Sequence, residues 1–138
     1  MSELKELAAE AKHELLTHII PFWRGMRDDK FGGYYGYLSY DLALDEKAEK
    51  GCILNSRITW FFANAYLLYK DGGISEEECE AAGFKGEDLL AEAKHGYEFL
   101  REHCIDKEYG GIFWSLNYDG TPLDTTKHTY NQAFCIYA

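Results

Sequence analysis

The chain is short of positive charge. Its 138 residues hold 14 Lys and Arg against 24 Asp and Glu, a net charge of −10. A surface of that sign is repelled by a phosphate backbone or an anionic bilayer, which argues against nucleic acid and membrane as partners. Long apolar runs are missing too. The uncharged stretch Ile58 to Tyr69 is too short to cross a bilayer. The N-terminus, MSELKELAAEAKHE, is charged and has no apolar signal-peptide core. There is no CxxC and no HExxH, and the four cysteines (Cys52, Cys79, Cys104, Cys135) lie far apart. Reduced structural thiols in a cytoplasmic protein are expected, with no metal and no cofactor.

What is present is apolar and aromatic, 46% and 16% of the residues, enough for a real core. Leu4, Leu7, Ala8, Ala11, Leu15 and Ile19 recur at steps of three and four, which predicts an amphipathic helix with one buried stripe ending at Pro21. Asp28, Asp29, Gly32 and Gly33 give a turn. A short strand is expected from Tyr35 to Tyr40, with its return from Lys47 to Ile53. ITWFFANAYLLY, Ile58 to Tyr69, is apolar on every face and predicts a helix enclosed by protein. The polar connection to about Gly86 is expected to be mobile. Leu89, Leu90, Ala93, Tyr97 and Leu100 mark a second amphipathic helix, followed by a second turn and hairpin over Asp106 to Lys127. A second apolar helix starts near Thr129.

Arg57 is unusual in this reading. Asn55 and Ser56 are good N-cap residues, so Arg57 falls in a first helical turn, where a cation is disfavoured by roughly 0.3–1 kcal/mol. Two explanations stay open. Arg57 faces an oxygen-rich ligand, or it curls back to a carboxylate such as Asp28 or Asp45.

The chain also repeats itself. AEAKH at Ala9–His13 returns at Ala91–His95, and FGG at Phe31–Gly33 answers YGG at Tyr109–Gly111. With a shorter second hairpin, Ser56-Arg57 is expected opposite Thr129-Tyr130. Each unit is an amphipathic helix, a Gly-Gly turn, a hairpin and a buried helix. Stacked units of this kind make an outer and an inner helical ring. The expected fold is all-α: the N-terminal part of an (α/α)6 barrel with short β-hairpins over one mouth. Residues 1–138 would form one incomplete barrel domain of two hairpin repeats (1–71 and 86–138) joined by an insert (72–85).

The run RDDKFGGYYGYLSYDLALDEKAEKGCILNSRITWFFANAY, with KHTYNQAF further on, resembles the N-terminal third of the N-acylglucosamine 2-epimerase family. Within it the likeness is nearest to the bacterial enzymes that act on cellobiose. The resemblance implies a cytoplasmic enzyme that inverts C2 of the reducing-end glucose of a β-1,4-linked disaccharide through ring opening and a cis-enediolate. It implies that Arg57 holds the enediolate oxygens and that Tyr130 binds sugar hydroxyls. The two acid/base histidines of the family fall beyond Ala138, so the 138 residues alone are expected to be inactive and to self-associate, the full-length protein being a monomer.

His128 and Trp60 are further candidates for the sugar site. Each has a structural alternative, a helix-end partner for His128 and core packing for Trp60. Tyr34, Tyr35, Tyr37, Tyr40 and Trp114 read more readily as packing. Three rival functions remain: an epimerase or isomerase of the same family acting on N-acylglucosamine or on mannose and fructose, a glycoside hydrolase, and a non-catalytic sugar binder. A hydrolase needs two carboxylates at the mouth, and the sequence there reads Asn-Ser-Arg and Thr-Tyr-Asn.

Overall fold

The computed structural model describes residues 2–138. Helix α1, Glu3–Glu14, runs through a π-helical turn, Leu15–Ile19, into α2, Ile20–Gly25. The sequence reading stopped this helix at Pro21. The wider π turn lies immediately before the proline, where a ring without an N–H breaks the α-helical ladder, and the chain continues through it. The turn also shifts the face. No residue of α1 is buried, Leu4 and Leu7 are open to solvent, and the residues that reach the core are Leu16 and Ile20. The expected buried stripe on α1 is therefore uncovered among the described residues. Lys12 ties α1 to the rest through Glu78, at 2.6 Å.

The two Gly-Gly turns are copies. In the first, Asp28 Oδ1 accepts from the Lys30 and Phe31 amides, the Asp28 amide donates to Gly33 O, and Arg27 bridges Tyr34. In the second, Asp106 Oδ1 accepts from the Glu108 and Tyr109 amides, the Asp106 amide donates to Gly111 O, and Ile105 bridges Ile112. The offset is 78 (112 − 34). Gly33 has φ +67°, and a Cβ there would lie 2.6 Å from Asn55 Oδ1, so glycine is required.

The hairpins are looser than their sequence suggests. The first has only an isolated Leu38–Leu44 bridge. Regular pairing occurs between the repeats and within the second hairpin: β1 (Lys50–Gly51) pairs antiparallel with β2 (Ser115–Leu116), which pairs with its own hairpin partner β3 (Pro122–Asp124). This small sheet joins the two units just before the inner helix of the first. The second, shorter hairpin is covered by Cys52, Phe99, Leu100, Cys104, Ile112 and Leu116, all buried in one cluster.

Helix α3 spans Cys52–Lys70, α4 Glu76–Ala81, α5 Gly86–Phe99 with a π turn at Leu100–Cys104, and α6 Thr129–Tyr137. α3 and α5 pack closely: a Cβ on Gly96 would run into Thr59 Oγ1. Their core holds Ile58, Phe62, Leu89 and Ala93 with Tyr34. The segment expected to be mobile is instead a capped helix. Ser75 and Glu78 form a reciprocal capping box, and Ile74, Cys79 and Phe84 are buried. All four cysteines are free, three of them buried. No helix among the described residues is long and apolar enough to cross a membrane.

α3 is not enclosed on every side. Arg57, Trp60, Asn64, Leu67 and Leu68 are exposed along one stripe of it.

Candidate functional site

α3 begins at Cys52, with Gly51 as its N-cap. The Cys52 amide donates to Trp114 O, so the small sheet supplies the first partner. Asn55 and Ser56, which look like caps, work inside the helix. Asn55 Oδ1 accepts from the Tyr34 amide at 2.9 Å while its Nδ2 donates to Gly51 O, and Ser56 Oγ donates to Cys52 O. Arg57 is thus the sixth residue of the helix, beyond the reach of the N-terminal dipole. The expected first-turn penalty does not apply to it.

The register of the second inner helix differs from expectation as well. Lys50 donates to Asp28 Oδ2 and Lys127 to Asp106 Oδ2; Asn55 satisfies the Tyr34 amide and Gln132 Oε1 the Ile112 amide. Both pairs give an offset of 77 (127 − 50; 132 − 55). The two hairpins therefore differ by one residue, and Arg57 is equivalent to Phe134, not to Tyr130.

α3 and α6 lie side by side, and an open groove of about 550 Å³ runs over them. Arg57, Trp60, Phe134 and Tyr137 line it together with Trp23 and Ser56. The Arg57 guanidinium sits over the Phe134 ring, 5.5 Å from its centroid. Trp60 stacks on Tyr137 at 5.4 Å and 22°. Among the described residues Arg57 has no ion pair: Asp28 is taken by Lys50, and Asp45 accepts from the Lys47 amide. Neither carboxylate that could have held Arg57 in a structural ion pair does so among the described residues.

Tyr130 is exposed and leans edge-on against Phe134, 5.0 Å away, so it adjoins the groove without lining it. His128 is the N-cap of α6 and packs against Trp114 at 4.6 Å. The structure thus brings Arg57 and Trp60 together, sets Tyr130 beside them and leaves His128 outside the groove lining. Phe134 and Tyr137 were missed from sequence. Aligning the repeats on Lys50 and Lys127 would have found them.

Below the groove the turns are held electrostatically. Burial works against the Asp28 carboxylate, but Lys50 and the Phe31 and Lys30 amides outweigh it and keep its pKa below the usual carboxylate range. Lys127 likewise lowers Asp106, with help from the Tyr109 amide. Burial and the neighbouring Glu92 push the Tyr34 hydroxyl far above its ordinary pKa, so it donates, to Glu92 Oε2 at 3.1 Å. Of the other histidines, His95 is held on Gly33 O and His103 on Gly120 O, while His13 and His18 are exposed. None lines the groove.

A sequence model of N-acylglucosamine 2-epimerase (GlcNAc 2-epimerase) matches residues 33–138, well over half of the chain. The chain belongs to this family. It is 52% identical over 132 residues to cellobiose 2-epimerase of Ruminococcus albus, covering 96% of this chain and 30% of that protein. It is 54% identical over 125 residues to cellobiose 2-epimerase of Eubacterium cellulosolvens, covering 91% and 27%. The crystal structure of a sugar epimerase from a ruminal bacterium superposes with TM-score 0.81 at 51% identity, over 95% of this chain and 30% of that one. The chain therefore spans about 30% of the length of these relatives. The match fixes the architecture: the described residues are part of an (α/α)6 barrel.

Proposed function

We propose that these residues form one wall of the site of a carbohydrate epimerase that inverts C2 of the reducing-end glucose of cellobiose and similar β-1,4-linked disaccharides. The observation that carries the reading is Arg57: a guanidinium with no carboxylate partner among the described residues, on an aromatic-walled groove. The identity to cellobiose 2-epimerases supports the choice of sugar.

In the reaction the sugar ring opens, a base removes the C2 proton, and charge spreads over O1 and O2 of a cis-enediolate. A second acid returns a proton to the opposite face. The Arg57 fork presents two N–H groups to those two oxygens, a preorganised pair of charge-assisted bonds. The Tyr130 hydroxyl reaches sugar hydroxyls, the Trp60 face packs on a sugar ring, and His128 stands at the lip. Proton transfer on two faces needs two groups near neutral pKa, for which histidine is suited. These come from the part of the relatives' length that this chain does not span, and the 138 residues alone turn over no sugar. No carboxylate lines the groove among the described residues, which weighs against hydrolysis. The enzyme is cytoplasmic and monomeric, takes no cofactor or metal, and binds its disaccharide rather than nucleic acid or membrane. The uncovered apolar residues Trp60, Leu67 and Ile136 make the isolated 138-residue chain self-associate.

The test is C2 hydrogen exchange in D2O by the full-length protein. Exchange and epimerisation of cellobiose are expected, with Arg57→Lys lowering kcat about 10²–10³-fold and leaving KM nearly unchanged. Exchange confined to N-acylglucosamine or mannose would move the substrate within the family. Cleavage of the disaccharide without exchange would refute the reading.

A further inference from the structure

A catalytic arginine has to be held, and Arg57 is held by neither an ion pair nor a side-chain hydrogen bond among the described residues. The contact it does have is Phe134, whose ring centroid is 5.5 Å from the guanidinium carbon. Tyr130, one helical turn earlier on α6, packs edge-to-face on the same ring at 5.0 Å and 75°. Phe134 itself lines the groove and is half-buried.

We propose that Phe134 is the positioning residue of this site: its π face holds the Arg57 guanidinium ready for the enediolate, and its ring sets the place of Tyr130. The inference rests on the reading of Arg57 as the group that binds the enediolate. Its physical basis is the kind of partner. A carboxylate would occupy two of the five N–H donors and neutralise the charge that the transition state needs. An aromatic ring attracts the cation through its quadrupole and takes no donor. The planar fork stays free for two oxygens. Phe134 is the equivalent of Arg57 in the second repeat, so neighbouring inner helices in register place the two at one level.

The experiment uses the full-length protein with Phe134 replaced by 4-fluoro-, 3,5-difluoro- and pentafluorophenylalanine. These withdraw charge from the ring face with little change of shape. Phe134→Leu, Phe134→Tyr and Arg57→Lys are measured beside them on cellobiose. The expected result is a stepwise fall of kcat with fluorination, reaching about two- to five-fold, with KM and Tm steady. Phe134→Tyr, which keeps a π face, recovers most of what Phe134→Leu loses. In an Arg57→Gln background, which has no cation for the ring to hold, the fluorine series is expected to flatten. A flat fluorine series with Arg57→Lys down 10²-fold or more would overturn the role of Phe134 and leave that of Arg57 standing. Near-parental kcat in Arg57→Lys would overturn both. A kcat that falls only as Tm falls would reduce Phe134 to packing and overturn the proposal.

Discussion

Replacing Lys50 by Met should cost far more stability than the same change at its twin, Lys127. Both lysines do one job, neutralising the aspartate that organises a Gly-Gly turn. Lys50 Nζ lies 2.5 Å from Asp28 Oδ2 with side-chain exposures of 0% and 1%; Lys127 Nζ lies 2.7 Å from Asp106 Oδ2 with 32% and 10%. Lys50 also donates to Gly32 O at 2.7 Å and lies over the Phe99 ring. Methionine keeps the length of the chain but leaves a carboxylate buried without its cation. Breaking a buried pair from one side costs about 3–5 kcal/mol. At the Lys127 turn, water screens the charges, and about 1 kcal/mol or less is expected. Urea unfolding of the two variants at about pH 7, followed by tryptophan fluorescence, reads the difference directly.

The pH dependence gives the sign. Asp28 has a lowered folded pKa, so its contribution is complete above the unfolded value of about 3.9 and is lost as pH falls through the folded one. In Lys50→Met the carboxyl protonates at higher pH and that acid loss disappears. The gap between parent and Lys50→Met should therefore shrink below about pH 4. Equal costs at Lys50 and Lys127, or a gap that stays constant into acid, would refute the argument that burial of the first pair sets its worth.

Further outcomes follow from the same packing. Gly33→Ala should destabilise by several kcal/mol in order of magnitude, because φ is +67° and the new Cβ meets Asn55 Oδ1 and Phe99; Gly72→Ala, at φ +78° in open space, should cost about 1 kcal/mol. Thermal melts of the pair check it. Gly96→Ala should separate α3 from α5, and a second change, Thr59→Gly, should recover more of the packing than a distant glycine substitution does, as a double-mutant cycle would show. Ser75→Ala removes the cap of α4 and should cost about 0.5–2 kcal/mol, with faster amide exchange confined to the segment around Cys79.

Much of the scaffold was legible in the sequence because its signals are local. Asp28 and Asp106 stand ahead of Gly-Gly pairs, and both turns close with the same bonds. The periodicity over α5 and the π turn after it gave the buried Leu89, Ala93 and Leu100, while Tyr97 on the same expected stripe is exposed. What failed depended on partners far along the chain. The amide of Cys52 is satisfied by Trp114, which starts α3 earlier than Asn55 or Ser56 would. Strands of two or three residues, one pair of them joined across the repeats, leave no alternation to read. The identical AEAKH segments also diverge by place: Glu92 is buried against Tyr34, Arg24 and Arg27, whereas Glu10 is in solvent. Of the candidate site residues, Arg57 and Trp60 meet on one groove, a neighbourhood the sequence did not show, and the ring that joins Arg57 to Tyr130 was invisible in the wrong register.

That register has a further consequence for how a site arises on a repeated scaffold. With an offset of 77, Trp60 is equivalent to Tyr137, as Arg57 is to Phe134, and each residue touches its own equivalent. Two parallel helices in register on an inner ring bring like positions together, so the repeat decides which pairs meet. Where both copies keep the same chemistry, as in Asp28 and Asp106, Lys50 and Lys127, or the amides of Asn55 and Gln132, the residues bond to their own turn and hold the mouth. Where the copies differ, the unlike residues face the groove. Two arginines at the level of Arg57 would repel each other, and two phenylalanines would carry no charge to offer an enediolate. A cation in one copy and a ring in the other is the combination that is attractive across the helix pair and still leaves donors for a ligand.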